Sequence, residues 1–351
     1  MLPPDNAALQ EYLHTCSALM SSKLAPWQRI DAMKTFFYPA LSFDMRSRRF
    51  RKGDWARLDD FARPLLKETL NIPPEASNEY LYGDTAGACL GIPLAKEDSD
   101  IACVDGAFKL LTSRDPGVRS LAWADFISCI AARIGRTPTF QEMADFLSAS
   151  DTGPFRGPSS SPSSTWSSAR AASRRLKISW CITNEQDVSL SIDGDTIGPA
   201  KRNLIFKSLR KVFRSARAKK ITEYPDQGKA IECAAAHNAS CHFFREGDYT
   251  RFADWRFIHR ARLNLVPLNA SRKRFTGQGP RSCRRCLHPA ETLPHVLCHC
   301  MRYSSLYQQR HNAVVNRIQK AALGRWTVDS ANQLIPGTTS RPDLVLTRED
   351  A

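Results

Sequence analysis

The chain has 351 residues, 42% of them hydrophobic, which is enough to bury more than one core. Its formal net charge of +15 argues against a basic partner and for a polyanionic one. The opening Met1-Leu-Pro-Pro-Asp-Asn lacks the basic and apolar regions of a secretory signal, and no run approaches the roughly 18 apolar residues of a membrane span. Eleven cysteines in such a chain read as reduced thiols, of the nucleus or cytoplasm rather than a secreted protein.

In chain order, residues 5–25 carry Leu9, Leu13, Cys16, Leu19 and Met20 at helical spacing. Pro26 ends that run and opens a second helix, Trp27 to about Phe43, with Ile30, Met33, Phe36 and Phe37 together. Residues 48–70 continue with an apolar stripe through Trp55, Leu58, Phe61, Leu65 and Leu66, stopped by Pro73-Pro74. Glu79-Tyr-Leu-Tyr-Gly-Asp reads as a short extended piece. The loop Gly87-Ala-Cys-Leu-Gly-Ile-Pro lacks the Gly-Lys-Ser/Thr that would cradle a phosphate.

Residues 95–150 are helical, with capping candidates at Asp98, Asp115 and Thr139. The acids Glu97, Asp98 and Asp100 suit a helix N-terminus through its dipole, and that reading is taken over a metal site. Residues 151–168, rich in Gly, Pro and Ser, read as a linker, with Trp166 its late exception. Ile178 to Ile197 alternates and contains Asp193-Gly194, the signature of a small hairpin.

Lys201 to Lys220 is the most basic helix. Arg210, Lys211, Arg214, Arg217, Lys219 and Lys220 surround an apolar face of Leu204, Ile205, Leu209, Val212, Phe213 and Ala216. On residues 229–243, Cys233, His237 and Cys241 fall at helical spacing, read as small buried thiols rather than a second metal face. Residues 249–266 repeat the basic pattern, with Arg251, Arg256, Arg260 and Arg262 beside Phe252, Trp255, Ile258, Ala261 and Leu265. Arg272, Lys273 and Arg274 follow. From Lys201 to Lys320 there are 25 Lys plus Arg against 7 Asp plus Glu, a local balance of +18. Few acids lie between these cations, which points to a nucleic-acid partner rather than a merely solvated face.

Residues 283–300 read C-R-R-C-L-H-P-A-E-T-L-P-H-V-L-C-H-C. Cys283, Cys286, His295 and Cys300 give C-x2-C-x8-H-x4-C, one full tetrahedral shell for Zn²⁺. Four protein ligands leave no place for water, so the zinc would be structural. The first pair chelates from a tight turn and the second from a helix starting near Glu291. Cys298 and His299 offer alternative registers, replacing Cys300 or His295. Arg284 and Arg285 lie between two ligands, where the metal would fix them pointing outward. Arg302, Arg310 and Arg317 continue along a helix from Tyr303 to Leu323. Fixed arginines suit phosphates, gripped through two parallel hydrogen bonds.

With these residues in view, Cys283-x2-Cys286, Glu291-Thr-Leu-Pro-His295-Val-Leu, Cys300 and Arg310-His311-Asn312 resemble the C-terminal region of non-LTR retrotransposon polyproteins, of the lineage with a restriction-like endonuclease. Pro26-Trp-Gln-Arg-Ile-Asp-Ala-Met-Lys-Thr-Phe-Phe-Tyr-Pro-Ala-Leu-Ser-Phe and Asn78-Glu-Tyr-Leu-Tyr-Gly look like the segment after the polymerase palm. Ala253-Asp-Trp-Arg-Phe-Ile-His-Arg-Ala-Arg-Leu-Asn looks like the linker before the knuckle. The resemblance implies a mainly α chain: a reverse-transcriptase thumb-like region at 1–115, a helical extension at 116–150, and a Ser/Pro-rich linker with a hairpin at 151–200. A basic helical linker at 201–280 and a CCHC zinc knuckle with its following helix at 281–323 come next. The start of a PD-(D/E)xK endonuclease, with Asp343 as its first metal-binding carboxylate, falls at 335–351.

Two departures limit the resemblance. No aromatic-x-Asp-Asp polymerase signature is present, since Asp59-Asp60 lies mid-helix. The nuclease motif keeps Asp343 but not the later acid and lysine, and one carboxylate cannot hold and activate a hydrolytic Mg²⁺. Mg²⁺ therefore belongs to the intact parent alone, and this chain is expected to be a catalytically inert fragment. Its expected activity is zinc-dependent binding of RNA and DNA, with no membrane or small-molecule substrate. The alternative is a domesticated zinc-knuckle protein that binds another protein.

Overall fold

Apolar residues at helical spacing along most of the sequence produce a mainly α protein, 63% helix and 7% strand among the described residues. The computed structural model describes residues 6–47, 49–151, 153–155, 164–244, 247 and 250–347. It divides into two units, Met1–Leu265 and Val266–Ala351.

The first unit begins with α1 (Asn6–Ser21), α2 (Pro26–Ala32), α3 (Tyr38–Ala40), α4 (Ser42–Ser47) and α5 (Lys52–Thr69). Pro26 sits in the first turn of α2, where its missing N–H costs no hydrogen bond. The run expected from Trp27 to Phe43 is helical without a break as far as Ala40, but residues 33–37 widen into a π-type turn before α3. Residues 79–82, expected to be extended, form the single helical turn α6 (Glu79–Tyr82), with Tyr80, Leu81 and Tyr82 all buried. Three consecutive buried side chains cannot sit on a strand with one wet face, and the helical turn resolves that conflict.

Helix α7 (Ala95–Leu111) joins two hydrophobic cores. Ala95 and Ala102 pack with α1, α5 and α6, while Ile101, Val104, Phe108 and Leu111 pack into the second core. Asp98 does not cap this helix. The Asp59 carboxylate accepts from the N–H groups of Ala95 and Lys96, at 2.8 and 3.0 Å, and supplies the cap from α5. The other two capping candidates do cap. Asp115 accepts from Gly117 and Val118 at the start of α8 (Pro116–Ile134), and Thr139 forms a capping box with Glu142 at α9 (Phe140–Leu147).

The heart of the expected linker, residues 156–163, lies outside the described residues. From Ser164 the chain is folded. Trp166, on α10 (Thr165–Leu176), is buried in the second core and its indole donates to Asp125 at 2.7 Å. The expected single hairpin is a three-stranded antiparallel meander of β1 (Ser179–Asn184), β2 (Asp187–Ile192) and β3 (Asp195–Ile197). Asp193 and Gly194 turn β2 into β3 with φ of 51° and 87°, the pair of positive values that matches strand twist in a two-residue turn. Trp180, Ile182, Val188, Leu190 and Ile192 place one face of the sheet in the core.

Helices α11 (Ile205–Thr222), α12 (Gly228–Ala235) and α13 (Phe252–Arg262) complete the first unit. The second unit holds α14 (Asn269–Thr276), α15 (Ser304–Ala322) and the antiparallel pair β4 (Thr327–Ser330) and β5 (Val345–Thr347). Among the described residues no helix is long and apolar enough to cross a membrane.

Candidate metal centre

The C-x2-C pair lies on a tight turn closed by two backbone bonds. Cys283 N–H donates to the His288 carbonyl at 2.8 Å, and Leu287 N–H donates to the Cys283 carbonyl at 3.0 Å. Closing the turn forces Leu287 into the left-handed region, φ 63°. The second pair arrives on a π-type turn, His295–His299, instead of an α-helix begun at Glu291. Cys300 N–H donates to the His295 carbonyl at 2.8 Å, an i to i+5 bond. Five residues are more than one α-turn, so an α-helix would swing the two side chains apart. The wider turn stacks them on one side.

The four donor atoms consequently converge, all lying within 4.8 Å of one another. Cys283 Sγ and Cys300 Sγ are 4.0 Å apart, and Cys286 Sγ lies 3.2 Å from His295 Nε2. A tetrahedron built on metal–sulfur bonds of about 2.3 Å has edges of roughly 3.8 Å, so these spacings bracket that of a tetrahedral ion. Cys283, His295 and Cys300 are buried, and Cys286 is half-buried. This is the one group of three or more such ligands that can hold a metal ion among the described residues. The ambiguity over Cys298 resolves here: its exposed thiol lies 4.0 Å from the Arg310 guanidinium, and His299 is exposed too.

Burial works to raise the Cys283 thiol pKa, but backbone N–H groups of Arg285 and Cys286 bond its sulfur and bring it below the usual value. A tight turn that aims amides at a sulfur favours the thiolate, the form that binds metal. Tyr307 braces the second pair. Its hydroxyl accepts from Cys300 N–H at 3.0 Å and donates to the Val296 carbonyl at 2.8 Å. The His288 ring stacks on His295 with centroids 4.4 Å apart.

Glu291 ties this centre to α14. It is 3% exposed, and it accepts from Asn269 N–H at the start of α14 at 2.8 Å and from the Arg284 guanidinium at 3.0 Å. Burial acts to raise its pKa, and the bonds from Arg284 and the Asn269 and Arg284 amides outweigh it, holding the carboxyl below its ordinary range. Arg284 is thus tied to Glu291 rather than free, although its side chain stays 54% exposed. Neither Glu291 nor Tyr307 stands out as a site residue from ligand spacing. The available signal was that Glu291 is the single acid between Trp255 and Val328.

The other basic candidates divide sharply. Arg210 holds Asp98 through two bonds of 2.8 and 2.6 Å, Lys220 pairs with Glu79 at 2.5 Å, and Arg217 pairs with Glu97. Arg262 is buried over the rings of Phe243 and Phe244 and bonds the Ser240 carbonyl, and Arg260 bonds Asn71. Arg214 is half-buried on α11. Arg210, Arg217 and Arg262 serve the fold, while Lys220 makes its pair at the surface. The acids that neutralise Arg210, Arg217 and Lys220 come from elements more than a hundred residues earlier, so a count of acids between the cations does not show them. Lys211 and Lys219 remain exposed on α11. In the second unit Arg272, Lys273, Arg274, Arg285, Arg302, Arg310 and Arg317 are all exposed.

The acids Glu97, Asp98 and Asp100 are each paired with a cation, so more than the helix dipole keeps them in place. Asp100 pairs with Arg175 at 2.5 Å and with Lys52, and Asp105 pairs with Arg46 and Arg202 at 2.6 and 2.7 Å. Cys233 and His237 are exposed and the helix they were placed on ends at Ala235, so their spacing with Cys241 has no helical meaning and Cys233 is no buried thiol. Asp343 lies beside β5, its carboxylate 3.3 Å from His311 Nε2. No protein-family model and no curated protein matches this chain.

Proposed function

We propose that this chain is the C-terminal part of a non-LTR retrotransposon polyprotein and that it binds RNA and DNA through a zinc-ordered basic module. The supporting observation is where positive charge remains once internal pairs are made. Residues 266–320 carry ten Lys plus Arg and one acid, and that acid is the buried Glu291, already engaged by Arg284. The cations therefore face solvent around a compact three-thiol, one-imidazole cluster that suits structural zinc. Zinc would hold the arginines in register, and arginines in register bind phosphate oxygens without reading base sequence.

The test is titration of the chain against a short structured RNA and a DNA duplex at stepped salt, with and without a zinc chelator. Binding that weakens on chelation, with a log–log salt slope near −5 or steeper on duplex DNA, supports about six or more phosphate contacts. Flat binding indifferent to chelator overturns the reading. One observation favours a second reading, a domesticated knuckle that binds protein: Leu306, Val314 and Ile318 are exposed along α15. Partner binding insensitive to salt would favour it.

A further inference from the structure

In the first unit, the C-terminal half of α5, the turn after it and Arg260 of α13 line an open cavity of about 450 Å³. Arg63, Lys67 and Arg260 line it, with Glu68 as the one carboxylate in the lining and Pro73 and Pro74 as an apolar wall. Arg63 and Lys67 stand at i and i+4 on the same helix face, where like charges repel.

Lys67 is 6% exposed. Its ammonium donates to the carbonyls of Pro74 and Ala76, at 2.5 and 2.7 Å. Those bonds satisfy two of its three N–H groups; no carboxylate among the described residues forms a direct ion pair with it, and Glu75 and Glu79 act on its charge only from farther off. Burial, and then the nearby Arg63 charge, lower its pKa. A lysine buried without a counter-ion is rare. Arg260 is held at the cavity by Asn71, whose backbone and side-chain oxygens both accept from its guanidinium. Arg63 bonds the exposed Asp60 at 2.8 Å and interacts with Tyr82, while its buried Nε has no hydrogen-bond partner among the described residues. A buried orphan donor beside a cavity calls for a ligand or ion.

We propose that this cavity binds a phosphate monoester, with the phosphate among Arg63, Lys67 and Arg260 and the organic body against Pro73 and Pro74. Three cations and one carboxylate line the cavity, with Asp60 paired to Arg63 from outside the lining. A phosphate monoester carries about −1.5 to −2 at neutral pH and offers three strong acceptor oxygens to these donors, more than a carboxylate or a backbone phosphodiester. Guanidinium groups bind phosphate oxygens in pairs. The volume falls within the roughly 300–1,000 Å³ of small-ligand pockets. Two sources share this chemistry, a free mononucleotide-sized ester and the 5′-phosphate at the end of a nucleic-acid strand. The site is independent of the metal centre.

Calorimetry on the full chain at fixed ionic strength tests the proposal. The probes are inorganic phosphate, adenosine monophosphate, and one short oligonucleotide with and without a 5′-phosphate. A monoester probe binds saturably, about tenfold more weakly in Arg260→Gln and Arg63→Gln. Arg260→Lys, which keeps the charge and loses the fork, is also weakened. Arg57→Gln, on the same helix but outside the cavity, is unchanged. A 5′-phosphate-dependent gain for the oligonucleotide that exceeds the mononucleotide affinity identifies a strand end, and the reverse order identifies a free ester. Failure of every phosphate probe to bind at millimolar concentration overturns the proposal, as does binding that the Arg63 and Arg260 variants leave unchanged.

Discussion

Asp98 on α7 and Arg210 on α11, 112 residues apart in sequence, meet through two parallel hydrogen bonds. Asp98 is buried and so cannot be left without its partner cheaply. The pair makes α7 the helix on which the chain's charge is balanced: its acids draw cations from α4, α5, α10 and α11.

Arg210→Gln should lower the unfolding free energy by about 3 kcal/mol, because Asp98 stays buried and uncompensated. It should leave the salt slope of nucleic-acid binding unchanged. Lys211→Gln, one residue on and exposed, should do the converse: the slope falls by about 0.9 and stability stays within about 0.5 kcal/mol. Denaturant melts and salt titrations of the two variants decide it. A weaker slope in Arg210→Gln at unchanged stability would reverse the assignment.

Cys286→Ser should abolish bound metal and loosen residues 281–320, since a structural ion contributes folding free energy outright. Cys298→Ser should keep one metal per chain, because its thiol points to Arg310 and away from the cluster. Metal content by mass spectrometry and hydrogen exchange over 281–320 read both outcomes. Equal loss in the two variants would return Cys298 to the ligand set.

Leu287 adopts φ 63° while 78% exposed, so its side chain adds strain and little packing. Leu287→Gly should stabilise the turn by about 1 kcal/mol and tighten metal binding. Leu287→Val, β-branched, should weaken both. A competition titration with a chelator measures the order Gly, Leu, Val, and any other order rejects the strain argument.

His259 is fully buried, with Nδ1 2.7 Å from Tyr80 Oη and the ring stacked on Phe244. Burial, and then the Arg262 charge, push its pKa well below the ordinary value. In the unfolded chain a histidine takes up a proton near pH 6.5, so below that pH the unfolded state binds more protons than the folded one. Stability is therefore present above about pH 6.5 and falls by up to about 1.4 kcal/mol per pH unit as acid increases. His259→Gln should flatten that dependence between pH 6.5 and 5.5, whatever its absolute stability. Parallel slopes for the two proteins would show that another group carries the acid sensitivity.

What the sequence determined by itself is local. Cys283, Cys286, His295 and Cys300 lie within eighteen residues, and a chelate that short has few ways to close. Asp115 and Thr139 could be read as caps because each bonds N–H groups two or three residues on. Tertiary structure alone decided the rest. Asp59 rather than Asp98 caps α7 because it approaches from another helix. Trp166 is core, not linker, because Phe126 and Asp125 are there to receive it. Above all, a count of charges along the chain cannot tell Arg210 from Lys211. The acid that neutralises the first reaches it only when α7 and α11 pack, and Coulomb attraction acts on distance in space, not in sequence.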